Sequence, residues 1–354
     1  MKSKVYFTRE LTPEKVVELY HKLGIELPGR VAVKVHSGEK GNQNFLRPEF
    51  WRPMVDDVHG TVVECNTAYG DAAGGVRDHT EPHLRLIAEH GWTRYFDVDL
   101  MDAEGPDVVW KIPNGKILKE NHLGKNIMNY DSMLVLAHFK GHPMGGYGGA
   151  LKQLSIGCAS RAGKALIHSA GKTDDRYKTW EEHASSIEFP EAMADAAMSV
   201  VEHFNGNMAF INVMKNISVD CDCCVVAEDP CMKDIGILSS LDPVAIDQAC
   251  IPCPRLRRPG NRAFHGAGQQ PQRHSHHRSR RRARLRLPRI RAHRSVSRNY
   301  SKKEAARGQL LFYVLLRSRG AFSIACTVST SPSTENLTFM SAKAMAYTRA
   351  GSCW

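Results

Sequence analysis

Residues 137–168, AHFKGHPMGGYGGALKQLSIGCASRAGKALIH, hold three imidazoles (His138, His142, His168), three ammonium groups (Lys140, Lys152, Lys164) and seven glycines in 32 residues. Hydrophobic cores do not favour that composition, because Lys and His resist burial without partners. His138, Lys140 and His142 alternate, so an extended chain puts them on one face. Such a face suits proton transfer or metal ligation, and these three are the candidate catalytic residues. The plain alternative for each is a hydrogen-bonded structural residue. Gly146, Gly148 and Gly149 then lead into a short helical pattern with Lys152 one turn in. Backbone N–H groups at a helix start form a nest for an anion. The glycine spacing is neither a Walker loop nor a dinucleotide fingerprint. Close backbone packing is the competing reading.

Two further loops repeat the theme. Lys34 and His36 alternate at the end of an apolar strand, Val31 to Val35, and Glu64, Asn66, Arg77 and His83 frame a second glycine loop. Parallel strands deliver such loops to one edge of a sheet, where open α/β folds bind ligands. Lys34, His36, Asn66, Arg77, Gly146, Gly148, Gly149, Lys152 and Lys164 are therefore expected to line a cationic pocket for a small phosphate or carboxylate.

A third constellation is Asp220-Cys221-Asp222-Cys223-Cys224, with Cys231 seven residues on. Thiolates in a short loop suit an iron–sulfur cluster, zinc or copper. Cys221, Cys223 and Cys224 are the candidate ligands. Extended alternation separates Cys224 from the other two, so one centre needs the loop to turn, or a ligand such as Cys158 or a His from elsewhere. Buried structural cysteines are the alternative. The cysteines show no secreted disulfide framework, no signal peptide precedes them, and no run approaches a membrane span. A reducing, cytoplasmic setting is the expectation, with no membrane partner.

The elements that must position these groups follow from the apolar pattern. Strands are expected at Lys4–Phe7, Val31–Val35, Thr61–Cys65, Tyr95–Val98, Val108–Ile112, Met133–Ala137 and Met208–Met214. Helices are expected after Thr12, from Pro48, over Thr80–His90, from Pro190 and after Asp242. This alternation predicts an α/β fold: a mixed or mostly parallel sheet with helices on both faces.

Charge divides the chain. Of 48 Lys+Arg and 37 Asp+Glu, residues 253–354 hold 22 and 2, so the tail is strongly basic and residues 1–252 are mildly acidic. A basic arm for nucleic acid is one reading of the tail. However, Lys is absent between Lys233 and Lys302 while Arg abounds among Pro, His and Ala. That is the signature of a GC-rich gene read out of frame. Shifting permitted codons of His265–Ser279 by one nucleotide yields MERVNSRNGTHTIEA. The expectation is an α/β domain over 1–251 and a coreless, out-of-frame tail over 253–354, with residues past Asn299 beyond the natural stop. Nucleic acid is not an expected partner.

The blocks VAVKVHSGEKGNQNFLRP, VVECNTAY, HFKGHPMGGYGGALKQLSIG, NISVDCDCC and DIGILSSLDPVAIDQAC resemble the family called domain of unknown function 362, over about residues 4–251. The resemblance implies an α/β fold and, in many members, a ferredoxin-like module and an iron–sulfur label. It also implies endings like SRNGTH and LGSREYEL, which agree with the shifted frame. The C-x2-C-x2-C-x3-C-P run of ferredoxin modules is missing here. Three functions stay open. One is a redox or metallocofactor protein with an iron–sulfur cluster or another thiophilic metal and a redox partner. The second is an enzyme acting on a small anionic ligand. The third is a tail-mediated nucleic-acid binder.

Overall fold

The structure, a computed structural model, describes residues 2–70 and 74–251 and the backbone of three strands at 309–316, 322–330 and 335–340. Seven strands from residues 2–251 build the main sheet. In spatial order they are β1 (Lys2–Thr8), β11 (Gly236–Ser240), β10 (Met208–Met214), β7 (Ser132–His138), β2 (Val31–Lys34), β3 (Thr61–Glu64) and β4 (Val98–Leu100). Strands β10, β7, β2, β3 and β4 are mutually parallel, and β11 runs antiparallel to both β10 and β1. The sheet is mixed and mostly parallel, as the alternation predicted.

Every residue of β7 and β10 is buried. A strand covered on both faces needs apolar side chains at successive positions, which explains the unbroken runs MLVLA and MAFINVM. Alternate side chains serve opposite layers. Val31, Val33, Leu134, Leu136, Ala209 and Ile211 pack with helices α1 (Pro13–His21), α2 (Pro48–Asp57) and α3 (Thr80–Glu89). Ala32, Met133, Val135 and Phe210 face α4 (Ala150–Cys158), α6 (Glu188–Phe204) and α7 (Pro243–Cys250). Helix α5 (Arg161–His168) joins α6 in a smaller cluster. Hairpins β5–β6 (Val108–Lys111, Glu120–Leu123) and β8–β9 (Lys140–His142, Gly146–Gly148) complete the fold.

Helix starts follow their capping residues. The Thr12 hydroxyl accepts from the Lys15 N–H, and the Asp242 carboxylate accepts from Val244 and Ala245. Helix α6 begins at Glu188 rather than Pro190, since a proline in the first turn needs no N–H partner. The expected strand Tyr95–Val98 is displaced: a 3-10 turn at Trp92–Arg94 occupies the approach, and β4 begins at Val98. The buried Trp92 indole donates to the Ser37 carbonyl and fixes that turn.

Strand β11 was not anticipated. It pairs Gly236 with Met214, so the chain leaves β10, makes an excursion over residues 215–235 and returns beside its starting point. Gly236 sits at φ 155°, where a Cβ would lie 2.1 Å from the Thr8 carbonyl oxygen. Only glycine fits there.

Beyond β1 the backbone of β14 (Glu335–Met340) pairs antiparallel with it, followed by β13 (Phe322–Thr330) and β12 (Gln309–Leu316). The expectations of an out-of-frame, coreless tail and of a break near Ile251 concern residues 252–308 and 341–354 and tail side chains, which lie outside the described residues. No helix among the described residues is long and apolar enough to cross a membrane.

Candidate functional site

The carboxyl ends of β2, β3, β7 and β10 meet at one edge of the sheet, and ionised side chains are buried there. Strand β2 ends on Lys34, which is fully buried, and its ammonium donates to Glu64 at the end of β3 (2.6 Å) and to the Val35 carbonyl. The Glu64 carboxylate also accepts from the Ser37 N–H (2.8 Å) and hydroxyl (3.0 Å). Arg77 lies 3.7 Å from it and donates through Nε to Glu39 (3.0 Å). Burial would raise the Glu64 pKa, but the Lys34 and Arg77 charges outweigh it and hold it far below the carboxylate range.

The next layer comes from the excursion after β10. The Cys224 N–H donates to the Cys221 carbonyl (3.0 Å), closing a tight turn over residues 221–224. The loop therefore turns rather than running extended. Asn42 donates to the carbonyls of Cys221 and Cys224, and the Tyr69 hydroxyl to that of Cys223. The Asp222 carboxylate points between His138 Nδ1 (3.0 Å) and the Lys140 ammonium (2.7 Å). His138 Nε2 faces the Lys215 carbonyl, so His138 ties β7 to both sides of the loop. Burial opposes the Asp222 charge, but His138 and Lys140 overcome it and keep its pKa well below the usual range.

With Asp222 so directed, Cys221 and Cys223 face His36. Ligand atoms of His36, Cys221 and Cys223 all lie within 4.8 Å of one another. Lys152 Nζ sits 3.1 Å from Cys221 Sγ. Burial works against the Lys152 charge, yet the Cys221 and Cys223 sulfurs hold its pKa above the ordinary value, while the Cys223 hydrogen bond and burial push the Cys221 thiol well above its own despite Lys152. Burial first, and then Arg77, push His36 well below its ordinary value, leaving a neutral imidazole. The Gly38 N–H donates to His36 Nδ1 (3.1 Å). Ligation through Nδ1 exchanges that hydrogen bond for the metal. Two thiols and one imidazole are the donor set of thiophilic metals. Cys224 falls outside this group; its hydrogen bond with Cys223 lowers its pKa. Cys158 is buried and donates weakly to the Gln153 carbonyl. A recess of about 70 Å³, between Gly145, Tyr147, Lys152, Pro190 and Met193, gives Lys152 an outlet with room for roughly two waters.

Other predicted residues are placed differently. The Ala150 and Leu151 N–H groups at the start of α4 donate to Asp247 (2.7 and 2.9 Å), whose carboxylate also accepts from Asn212 (2.7 Å). The protein's own carboxylate thus fills the nest expected to take an external anion. Gly149 admits it, since a Cβ there would lie 2.3 Å from Asp247 Oδ1. Gly146 is the exposed first residue of β9, paired with His142 across the hairpin, and Gly148 borders the Lys140 and Lys152 stems. The variant Gly149→Ala is expected to lose about 1–3 kcal/mol of stability, as an overpacked site does, read from urea unfolding.

His142 Nδ1 accepts from the Gly145 N–H, and its ring stacks on Phe189. Lys164 donates to the Ala159 carbonyl (2.6 Å) from α5. Asn66 donates through its N–H to Asp102 and through its side chain to Thr80. Glu39, Asn42 and Tyr69 were not singled out from sequence. Glu39 and Asn42 sit in the polar loop HSGEKGNQN directly after an apolar strand, which was the available signal.

His168 makes a pH prediction. Burial pushes its pKa down to about 4, against its donation to the Lys164 carbonyl. The unfolded chain then binds the extra proton first. The stability held by neutral His168 is full above pH 6.5 and drains as pH falls toward 4, by about 3 kcal/mol. His168→Asn retains a donor near the Nδ1 position and cannot titrate. Unfolding free energies of the two proteins measured from pH 7 to 4 are expected to differ in slope by that amount.

Residues 31–252 match the family described as Domain of unknown function (DUF362). No curated protein matches the sequence. Among solved structures the chain is similar to a protein from Thermotoga maritima (TM-score 0.40) and to the lactate racemase apoprotein from Thermoanaerobacterium thermosaccharolyticum (TM-score 0.39). Each is 12% identical over 68% of this chain. The chain spans only 59% and 55% of those two chains. At that similarity neither bears on the site.

Proposed function

We propose that this chain, which belongs to the family described as domain of unknown function (DUF362), holds a thiophilic metal centre through His36, Cys221 and Cys223. The observation that carries the reading is the convergence of two thiols and an imidazole, from loops after different strands, within 4.8 Å. The surroundings favour it. Lys152 places an ammonium 3.1 Å from the Cys221 sulfur, beside groups that ligate as thiolates. An iron–sulfur cluster, whose thiolate ligation carries net negative charge, suits that field as zinc does, and a redox role follows from the cluster.

When bound, the metal supplies Lewis acidity or an electron. The chain's own residues do the rest. Asp222, gripped by His138 and Lys140, fixes the turn that presents Cys221 and Cys223. Lys152 orients the Cys221 sulfur and reaches the recess through which a small anionic ligand would enter. His138 and Lys140 are positioning residues on this reading, because both are committed to Asp222. Full-length protein purified without oxygen and analysed by elemental analysis and visible absorption is expected to carry about one equivalent of metal or cluster. Less than about a tenth of an equivalent of any transition metal, before and after anaerobic reconstitution, refutes the proposal.

A further inference from the structure

Beside the thiols lies a second constellation that the metal reading does not use. His83, on α3, has no solvent exposure. Its Nδ1 faces the Asn66 side-chain oxygen (3.1 Å), whose orientation is set by the Asn66 amide donating to Thr80. Nδ1 therefore carries the proton, and Nε2 presents a lone pair. That Nε2 is buried without a hydrogen-bond partner among the described residues. Arg77, 2% exposed, has the complementary defect: Nε is held by Glu39, while Nη2 is buried with no acceptor among the described residues. His83 lacks a donor and Arg77 lacks an acceptor, and the Arg77 charge acts on the His83 ring. Buried groups left so cost stability unless something supplies both. Lys34 and Lys164 add positive charge to the same region, against which stand Glu64, the Glu39 carboxylate on Arg77 and the Asp102 carboxylate acting on Lys164. Burial, and then the Arg77 guanidinium, keep His83 neutral and so able to accept.

We propose that Arg77 Nη2 and His83 Nε2 form a binding site for a small oxyanion that carries its own hydroxyl. The oxyanion accepts from Arg77, and its hydroxyl donates to His83. A hydroxycarboxylate and a hydrogenphosphate share this chemistry. An unsubstituted carboxylate meets only half of it. The site needs no metal, so its success or failure is independent of the thiol centre.

The test is calorimetric titration of the full-length protein with glycolate, inorganic phosphate and acetate, up to tens of millimolar. Glycolate or phosphate is expected to bind, and whichever binds identifies the source; acetate is expected to bind at least about tenfold more weakly. His83→Asn keeps a donor for Asn66 but deletes Nε2. It is expected to weaken glycolate or phosphate about tenfold and leave metal content unchanged. Arg77→Lys is expected to weaken all three probes. Should either variant fail to fold, nitrogen NMR of the wild-type histidines decides: the His83 Nε2 resonance must move on saturation with the bound probe. Absence of binding by every probe overturns the proposal. So does acetate binding as tightly as glycolate, or an unmoved His83 resonance.

Discussion

Protein carrying both Cys221→Ser and Cys223→Ser is expected to retain less than about a tenth of the metal bound by the wild type, and to lose any visible colour. Serine is close to cysteine in shape, so the turn at residues 221–224 survives: it is held by backbone groups and by Asn42, not by the thiols. A hydroxyl is a poor ligand for a soft metal, and His36 alone gives no chelate. The companion Cys224→Ser, outside the group of close ligand atoms, is expected to keep most of the metal. Elemental analysis of the three proteins purified side by side checks the set. Equal metal in wild type and double variant would move the centre elsewhere.

Glu64→Gln is expected to destabilise the fold by about 3–5 kcal/mol, lowering the melting temperature by on the order of 10 °C. The change is isosteric, so it isolates charge. Lys34 is fully buried and its ammonium has Glu64 as its carboxylate partner at 2.6 Å. Removing the negative charge leaves a desolvated ammonium beside Arg77. Removing both partners should be milder: Lys34→Met with Glu64→Gln takes both charges out of the core together, and the double-mutant cycle of wild type, each single change and the pair is expected to return much of the loss. Thermal and urea unfolding of the four proteins measure it. Equal damage from the single and double changes would show that shape, not charge balance, is what Glu64 provides.

Much of the fold was legible because burial writes itself into local pattern. MLVLA and MAFINVM read as doubly covered strands, and Thr12-Pro13 and Asp242-Pro243 read as helix starts. Strand β11 was not legible, because Gly-Ile-Leu-Ser-Ser is short and half polar. Its serines are buried only because they donate to the Leu19 and Lys4 carbonyls, a tertiary fact. The site was legible by residue type but not by pairing. Lys34, Arg77, Lys140 and Lys152 were read as one cationic pocket. In the fold, three of them meet carboxylates and the fourth meets a thiol. A buried charge selects its partner across space, as with Lys140 and Asp222, which are 82 positions apart in sequence. The glycine nest failed for the same reason: Asp247 reaches it from α7, nearly a hundred residues away.

The return of the chain from β10 through residues 215–235 to β11 has a consequence for linkage. Both ends of the thiol loop are strands of the main sheet, joined at the Met214–Gly236 pair. A metal that binds only when this loop is closed stabilises the sheet by mass action, by about 2.7 kcal/mol at a hundredfold excess over its dissociation constant. The relation is reciprocal. A substitution in β1, the neighbour of β11 and remote from the thiols in sequence, should weaken metal retention, and a chelator should lower the melting temperature. Strand β1 and the thiol loop therefore share one equilibrium, and metal content becomes a measure of how well that part of the sheet is held.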